Sequence, residues 1–410
     1  MSKALRAFIV LAVASGVFAP VAHAFTNPPD QHVEMGGHND TATTIQRNFP
    51  APESALCLAG ECVKSAAATL AAPRAATVAA QTTQIVCKGV TYNHPIPYDL
   101  NGDCISELLW MNDQTHQFGW WLLGSPYSQS GTQYLPRTVG GTVSVTPGYW
   151  IAASGDFNGD FKADLIWTSN NRDLYLWTST GTGFSSQYVG TYPAGWKLVG
   201  AADIDGDGID DLIWGNDDAC EFGYWLMNGN TIKSTKIIST TCGFQVAFID
   251  TAFDSPNKTT PAIYWINVSN PNYTSTSLYR WLPQSDTLNS VFLGYTGGAS
   301  IIGVQTQVMY SPLLILNQAG VPETCQDIQN QCYPNTAGIS IPGPGQYSIV
   351  AAGHYSSPAS QDLLWASTDG GLVVANYTLT GSYPGAAPYN FYKVAGFPTG
   401  WHIVRPGKQN

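Results

Sequence analysis

Three nine-residue stretches place oxygen-bearing groups at one spacing. In the first of them to be considered, Asp203, Asp205, Asp207 and Asp211 put carboxylates at positions one, three, five and nine, and Ile209 offers a main-chain carbonyl at position seven. The same frame returns as Asp156, Asn158, Asp160, the carbonyl of Lys162, and Asp164. It returns again as Asp99, Asn101, Asp103, the carbonyl of Ile105, and Glu107. Hard oxygen donors around a tight bend suit Ca2+, which accepts ~6–8 oxygens at flexible angles, better than Mg2+, which demands stricter octahedral geometry. A single copy reads equally well as a turn, because Asp, Asn and Gly make turns unaided. Three copies in one frame point to calcium, with up to three structural sites. Position six is Gly208 in one copy but Phe161 and Cys104 in the others. A strained bend is expected at those two, and the 203–211 site is expected to be the tightest. Two later stretches, Asp250–Asp254 and His354–Asp362, lack most of the ligands and are expected to hold their turns without metal.

Each acidic stretch runs into an apolar strand ending in Trp: Leu108 to Trp110, Leu165 to Trp167, and Leu212 to Trp214. The same Trp slot recurs at Trp265 and Trp365, and Ile315 fills the place between them. A strand opening with Gly and an aromatic precedes each loop, as in Gly148-Tyr149-Trp150, Gly195-Trp196 and Gly400-Trp401. An aromatic third strand and a variable fourth follow. Short aromatic and β-branched runs between Gly, Asn, Asp and Ser turns are strand signals. Units of ~40–50 residues with four strands are what propeller blades look like in sequence. The expectation is therefore an all-β fold, a β-propeller of four-stranded blades occupying residues 86–410. The second-strand slot occurs six times, and the first-strand slot six times but shifted by one. Six blades follow, with the strand after Gly400 closing the ring by completing the first blade. Seven blades is the alternative, in which Tyr92–Asp99 is a first strand in its own right.

Residues 1–24 have the form of a signal peptide. Lys3 and Arg6 precede an apolar stretch, and Ala22-His23-Ala24 fits the small-residue rule for cleavage. A secreted or periplasmic protein is expected, and no stretch approaches the ~18 apolar residues of a membrane span. Residues 25–85 are rich in Ala, Thr, Pro and Gln and read as a flexible N-terminal arm. The formal charge of the chain is −11, and only 11% of residues are charged. That balance argues against nucleic acid, which needs basic patches. Eight Cys follow the leader. An even number in an exported chain favours disulfides, and short loops favour sequential pairing: Cys57–Cys62, Cys87–Cys104, Cys220–Cys242 and Cys325–Cys332.

The stretch from Asp156 to Trp167, and Tyr224-Trp-Leu-Met-Asn-Gly229, resemble the FG-GAP/VCBS repeats of bacterial exported proteins. Integrin α-subunit propellers are similar. The loop spacing also resembles the start of an EF-hand loop, but Trp214 stands where the twelfth-position Glu would be. The resemblance covers about residues 95–410 and is strongest in the first three units. It implies a β-propeller with structural calcium in the loops between the first two strands of a blade. It also implies functions ranging over adhesion, glycan binding and accessory roles beside enzymes.

Function is read from what is present. No Gly-x-Ser-x-Gly elbow, His-Glu-x-x-His helix or phosphate-cradling glycine loop occurs, so the balance is against an enzyme. The leading expectation is a calcium-binding propeller that binds a glycan or a cell-surface protein through its loops, where such functions tend to reside. The region of Cys325–Cys332 and Gly343–Gly345 is the candidate contact. A polysaccharide lyase or glycoside hydrolase on the same scaffold is the alternative, and a structural module the second. Trp residues repeated by frame are expected to pack blade against blade. Stacking on sugar is the lesser reading for each of them, with Trp120 and Trp150 the least constrained. Ligand identity and oligomeric state are left open.

Overall fold

The computed structural model describes residues 85–404, except 88–89, 93–94, 256–257, 268–276, 282–289, 296–299, 305–312, 317–321, 326–331, 335–346, 359–360, 368, 378–389, 395 and 398. The proposed leader and nearly all of the arm lie outside the described residues. Among the described residues every regular element is a strand, and the chain is a β-propeller built of four-stranded antiparallel blades.

The second unit shows the plan. Tyr149–Gly155, Asp164–Ser169, Asp173–Ser179 and Phe184–Thr191 pair in sequence order as an antiparallel meander. The third unit repeats it with Lys197–Ala202, Asp211–Asn216, Glu221–Asn228 and Thr231–Ser239. The fourth runs from Phe244–Ser255 to Ser290–Tyr295, and the fifth from Ser300–Val304 to Cys332–Pro334. The sixth runs from Tyr347–Gly353 to Asn390–Val394. The first unit is assembled from both ends. His402–Ile403 pairs with Leu108–Asn112, which continues into Gln117–Leu123 and Arg137–Ser144. The expected donation of the Gly400 strand to the first unit is what the pairing gives: Ile403 lies opposite Trp110 and His402 opposite Met111. Val90–Tyr92 turns back on Ile85–Cys87 in a separate hairpin, and residues 95–99 form no strand.

Burial follows position in the unit. The second strands, such as Asp164–Ser169, are buried along their whole length, and the fourth strands are largely exposed. First strands of consecutive units lie beside one another, Lys197–Ala202 next to both Tyr149–Gly155 and Phe244–Ser255. The core is therefore a series of layers between neighbouring sheets. Phe118 and Trp120 of the first unit pack with Leu165, Trp167 and Trp177 of the second. Leu176 packs with Leu212 and Trp214, and Phe222 with Ile263 and Trp265. Leu364 and Val374 of the sixth unit pack with Leu108 and Trp110 of the first. An apolar layer thus spans the place where the two ends of the described chain meet.

The repeated tryptophans explain themselves in these layers. In each of the first three units the second-strand Trp meets a third-strand Trp: Trp110 with Trp121 at 4.6 Å between rings, Trp167 with Trp177 at 4.7 Å, and Trp214 with Trp225 at 4.7 Å. All three pairs are tilted at similar angles, an arrangement aromatic quadrupoles favour. Trp120 and Trp150 are 3% and 8% exposed and belong to the framework as well: Trp120 packs against Phe184 of the next unit. Three further details belong to particular units. The fourth unit has no acidic loop, because its first two strands run on until Ser255 faces Lys258. The region around Cys325–Cys332, the candidate contact, supplies the outer pair of strands of the fifth unit, with the two cysteines opposite each other in register. Gly343–Gly345 lies outside the described residues. Finally, the hairpin Tyr127–Gln129 and Thr132–Tyr134 leaves the first unit and adds to the sixth, where Tyr134 pairs in parallel with Lys393.

Candidate metal centres

The nine-residue acidic loops lead into the second strands of units one, two and three; in units two and three they join the first strand to the second, and in unit one the loop follows the hairpin of Ile85–Cys87 and Val90–Tyr92. Their fold is written by carboxylates that accept from the main chain. The position-one Asp gathers the N–H groups of positions four, five and six. Asp99 takes those of Gly102, Asp103 and Cys104 at 2.7, 3.2 and 2.7 Å. Asp156 takes those of Gly159, Asp160 and Phe161 at 2.7, 3.2 and 2.7 Å. Asp203 takes those of Gly206, Asp207 and Gly208 at 2.7, 3.1 and 2.9 Å. Position three then accepts from position five, and position five from position seven, as in Asn158 from Asp160 and Asp160 from Lys162. Such side-chain to main-chain bonds are the natural alternative to a sheet ladder for Asp and Asn.

The bend needs left-handed backbone at positions four and six. Gly102, Gly159 and Gly206 supply it at four, with φ of 77°, 75° and 79°. At six, Gly208 has φ 84°, but Cys104 and Phe161 are held at 71° and 61°. The expected strain is there, since a side chain in this region costs energy that glycine avoids. Cys104 gives something in return. Its disulfide to Cys87 ties the first loop to the preceding hairpin. The expected Cys220–Cys242 pair also forms, bridging the turn before the third strand of unit three to the end of its fourth. Cys57 and Cys62 lie outside the described residues.

The position-nine carboxylate closes each loop. One oxygen accepts from the N–H of position two: Glu107 from Leu100 at 2.7 Å, Asp164 from Phe157 at 3.1 Å, and Asp211 from Ile204 at 2.9 Å. The other oxygen of the two aspartates accepts from the third strand, Asp164 from Ser179 and Asp211 from Met227. Glu107 carries one more methylene, and its Oε1 is buried without a hydrogen bond of normal geometry.

Two loops bring three ligand oxygens within 4.8 Å of one another: Asp99, Asp103 and Glu107, and Asp203, Asp205 and Asp211. The 156–164 loop does not, as Asp160 turns to the Lys162 ammonium. In the third loop the Lys233 ammonium lies 3.2 Å from Asp205 and also contacts Asp207. Ile105 and Ile209 bury their side chains, so only their main chain can serve the loop. Several of these carboxyls hold their protons tightly. Burial pushes Asp99 and Asp156 up to about 6, against the pull of the Cys104 and Phe161 N–H groups. Burial, with the Asp156 charge adding to it, pushes Asp164 up to about 8, and burial pushes Asp211 up to about 7. Glu107 is raised well above the usual range by burial and by Asp99. Enclosed carboxylates this close cannot all ionise without a cation. A divalent ion would displace the protons, and the all-oxygen donor set fits a hard one. An expectation built on ligand spacing alone had no place for Lys233, which arrives from a fourth strand.

Comparison with known proteins follows the same outline. The FG-GAP-like repeat model matches residues 156–214, the second loop through the third-unit Trp. No curated protein matches. Among solved structures, a nidogen/laminin complex contains a chain 13% identical, with a TM-score of 0.42, covering 70% of this chain and 96% of that one. An arginine-to-alanine variant of AofleA from Arthrobotrys oligospora is 12% identical, with a TM-score of 0.39, covering 73% and 88%. The SapL1 lectin in complex with alpha methyl fucoside is 12% identical, with a TM-score of 0.36, covering 68% and 95%. Identities this low bear on architecture alone, and the sheets described above carry that conclusion here.

Proposed function

Because the chain carries FG-GAP-like repeats, we propose that it is an exported, calcium-stabilised propeller that binds a glycan or a surface protein through its connecting loops. The observation that carries the calcium reading is the first loop, where Asp99, Asp103 and Glu107 converge and Glu107 Oε1 is buried without a hydrogen bond of normal geometry. A poorly satisfied acceptor inside a cluster of acids is costly unless a cation meets it. Asp99, Asn101, Asp103, the Ile105 carbonyl and Glu107 would hold the ion, with the matching groups of 203–211 and 156–164 holding two more. Bound calcium supplies positive charge to carboxylates that otherwise keep their protons. Residues 1–24 as a leader and 25–85 as an arm rest on sequence and composition, and six blades closed by the His402–Ile403 strand rest on the recurring slots and on that strand's pairing. Two disulfides suit an oxidising compartment.

The binding role rests on what the strands cannot do. Every described Trp whose side chain is placed is buried or half-buried in the framework, which leaves the loops to meet a partner. A thermal melt in calcium and in chelator tests the first part. Calcium should raise Tm by several degrees, as linkage requires of a ligand that binds only the folded chain. No shift at millimolar calcium overturns the metal reading. A glycan array probed in calcium and in chelator tests the second, and binding that survives chelation unchanged would separate recognition from the metal loops.

A further inference from the structure

Neighbouring loops are joined by a contact that recurs at one register. The N–H of the eighth loop residue donates to the carbonyl of the first residue in the preceding unit's loop. Ser106 donates to His354 at 3.0 Å, Ala163 to Asp99 at 2.6 Å, and Asp210 to Asp156 at 2.7 Å. Four loops are thereby strung together, including the pair on either side of the chain ends. At two seams a side chain doubles the contact. Ser106 Oγ accepts the His354 N–H at 2.9 Å, and Asp210 Oδ2 accepts the Asp156 N–H at 2.7 Å. At the third seam Ala163 has no acceptor to offer, and the Asp99 N–H goes to the Ile96 carbonyl instead.

The consequence is sharpest for Asp156. Its carboxylate organises the second loop, yet both its main-chain N–H and its carbonyl are held by Asp210, a residue of the third. Space is made for this. A Cβ at Gly155 would stand 2.5 Å from Asp210 Oδ2, so glycine is what lets the carboxylate reach across. The adjacent acids Asp210 and Asp211 accordingly divide their work: Asp211 closes its own loop, and Asp210 clasps the one before.

We propose that Asp210 is a positioning residue for the 156–164 site and couples it to the 203–211 site, so that the second and third loops load calcium cooperatively. This rests on the reading of the loops as calcium sites. Ordering the third loop fixes Asp210, and Asp210 fixes the main chain on both sides of Asp156. Coupling is reciprocal, so loading of the second loop favours the third by the same factor. The first and second loops, joined by one main-chain bond, couple less.

The test is a cycle on the full chain, in an Asp103→Asn background that silences the first loop. Calcium affinity of the second loop is measured calorimetrically, with the third loop intact or disabled by Asp205→Asn and Asp207→Asn. Each is repeated with Asp210→Ala. With Asp210 present, disabling the third loop should weaken the second about tenfold, the scale of one hydrogen bond to a charged group. With Asp210→Ala, the same disabling should change it less than about twofold. Asp210→Ser, which offers the hydroxyl found at Ser106, should restore part of the coupling. Equal coupling with and without Asp210 overturns the proposal, as does a loss of Tm with coupling unchanged. Should Asp210→Ala not fold, hydrogen exchange at the Asp156 amide in calcium serves instead. It should quicken when only Asp205 and Asp207 are replaced, and unchanged exchange overturns the proposal. A chain that binds no calcium at all refutes the metal reading beneath it, an outcome distinct from sites that bind independently.

Discussion

Asp211 and Asp362 do similar work in loops of different kinds. Each is fully buried at position nine of the connection between a first and a second strand. Each accepts a main-chain N–H from the opening of its loop, Asp211 from Ile204 at 2.9 Å and Asp362 from Ser356 at 2.5 Å. What surrounds them differs. Asp211 shares its loop with Asp203, Asp205 and Asp207, whereas the sixth unit has His354, Ser356 and Pro358 at those places. The sixth loop still hands the His354 carbonyl to Ser106 as the acidic loops hand theirs onward. The ninth-position carboxylate is therefore part of the skeleton. The acids at one and five, joined in the third unit by Asp205 at three, add an electrostatic load that the sixth loop does not carry.

That contrast can be broken most forcefully at position nine itself. Asp164→Ala strips acceptors from the Phe157 and Ser179 N–H groups and should cost about 3 kcal/mol in urea unfolding. Asp362→Ala should cost a comparable amount. Only the first should also diminish the calcium-induced rise in stability. If Asp362→Ala diminishes it as much, the division between skeleton and ligand is wrong.

The pH dependence comes next in size. Asp99, Asp156, Asp211 and Asp164 are raised from 3.8 to about 6, 6, 7 and 8. A raised folded-state value means that the native chain binds protons more tightly than the unfolded one. Its contribution to stability is complete below about pH 4 and is lost as pH climbs through 6 to 8. Melts in chelator should therefore fall across that window, while melts in calcium should stay nearly level. A chelated Tm that rises across the window would contradict this.

Glu107→Gln keeps the shape of the first loop and removes its closing charge. Tm in chelator at pH 8 should stay level or rise slightly, and calorimetry should find one calcium fewer. An unchanged stoichiometry would remove Glu107 from the ligand set. The smallest effect is expected from Lys233→Met. The ammonium lies against Asp205 and Asp207 at a surface-exposed site, where ion pairs are weak. Calcium affinity of the third loop should rise a few-fold, and a fall would mean that the lysine assists the metal.

The parts of the molecule legible in sequence are those written locally. Ligand spacing lies within nine residues, the Trp slots recur in frame, and short Cys separations gave the Cys87–Cys104 and Cys220–Cys242 pairs that form. Even the pairing of the strand after Gly400 with the first unit was readable, because its Gly-Trp opening matched the others. Features that depend on distant partners were not. Asp210 looks redundant beside Asp211 until Asp156, far upstream, is placed against it. Lys233 carries no sign of its carboxylates. The 127–134 hairpin carries no mark of its partner in sequence, which is Lys393 of the sixth unit. The long hairpin of the fourth unit shows the converse: Asp250 suggested a decayed loop, and the strands instead ran straight through it.

The pairing of Ile403 with Trp110 makes the chain its own proofreader. A ribosome finishes the sheet begun near Leu108 only after everything between has been made. Any prematurely stopped product is left with an open seam. Its bare strand edge and uncovered indoles would mark it for proteases before it could accumulate.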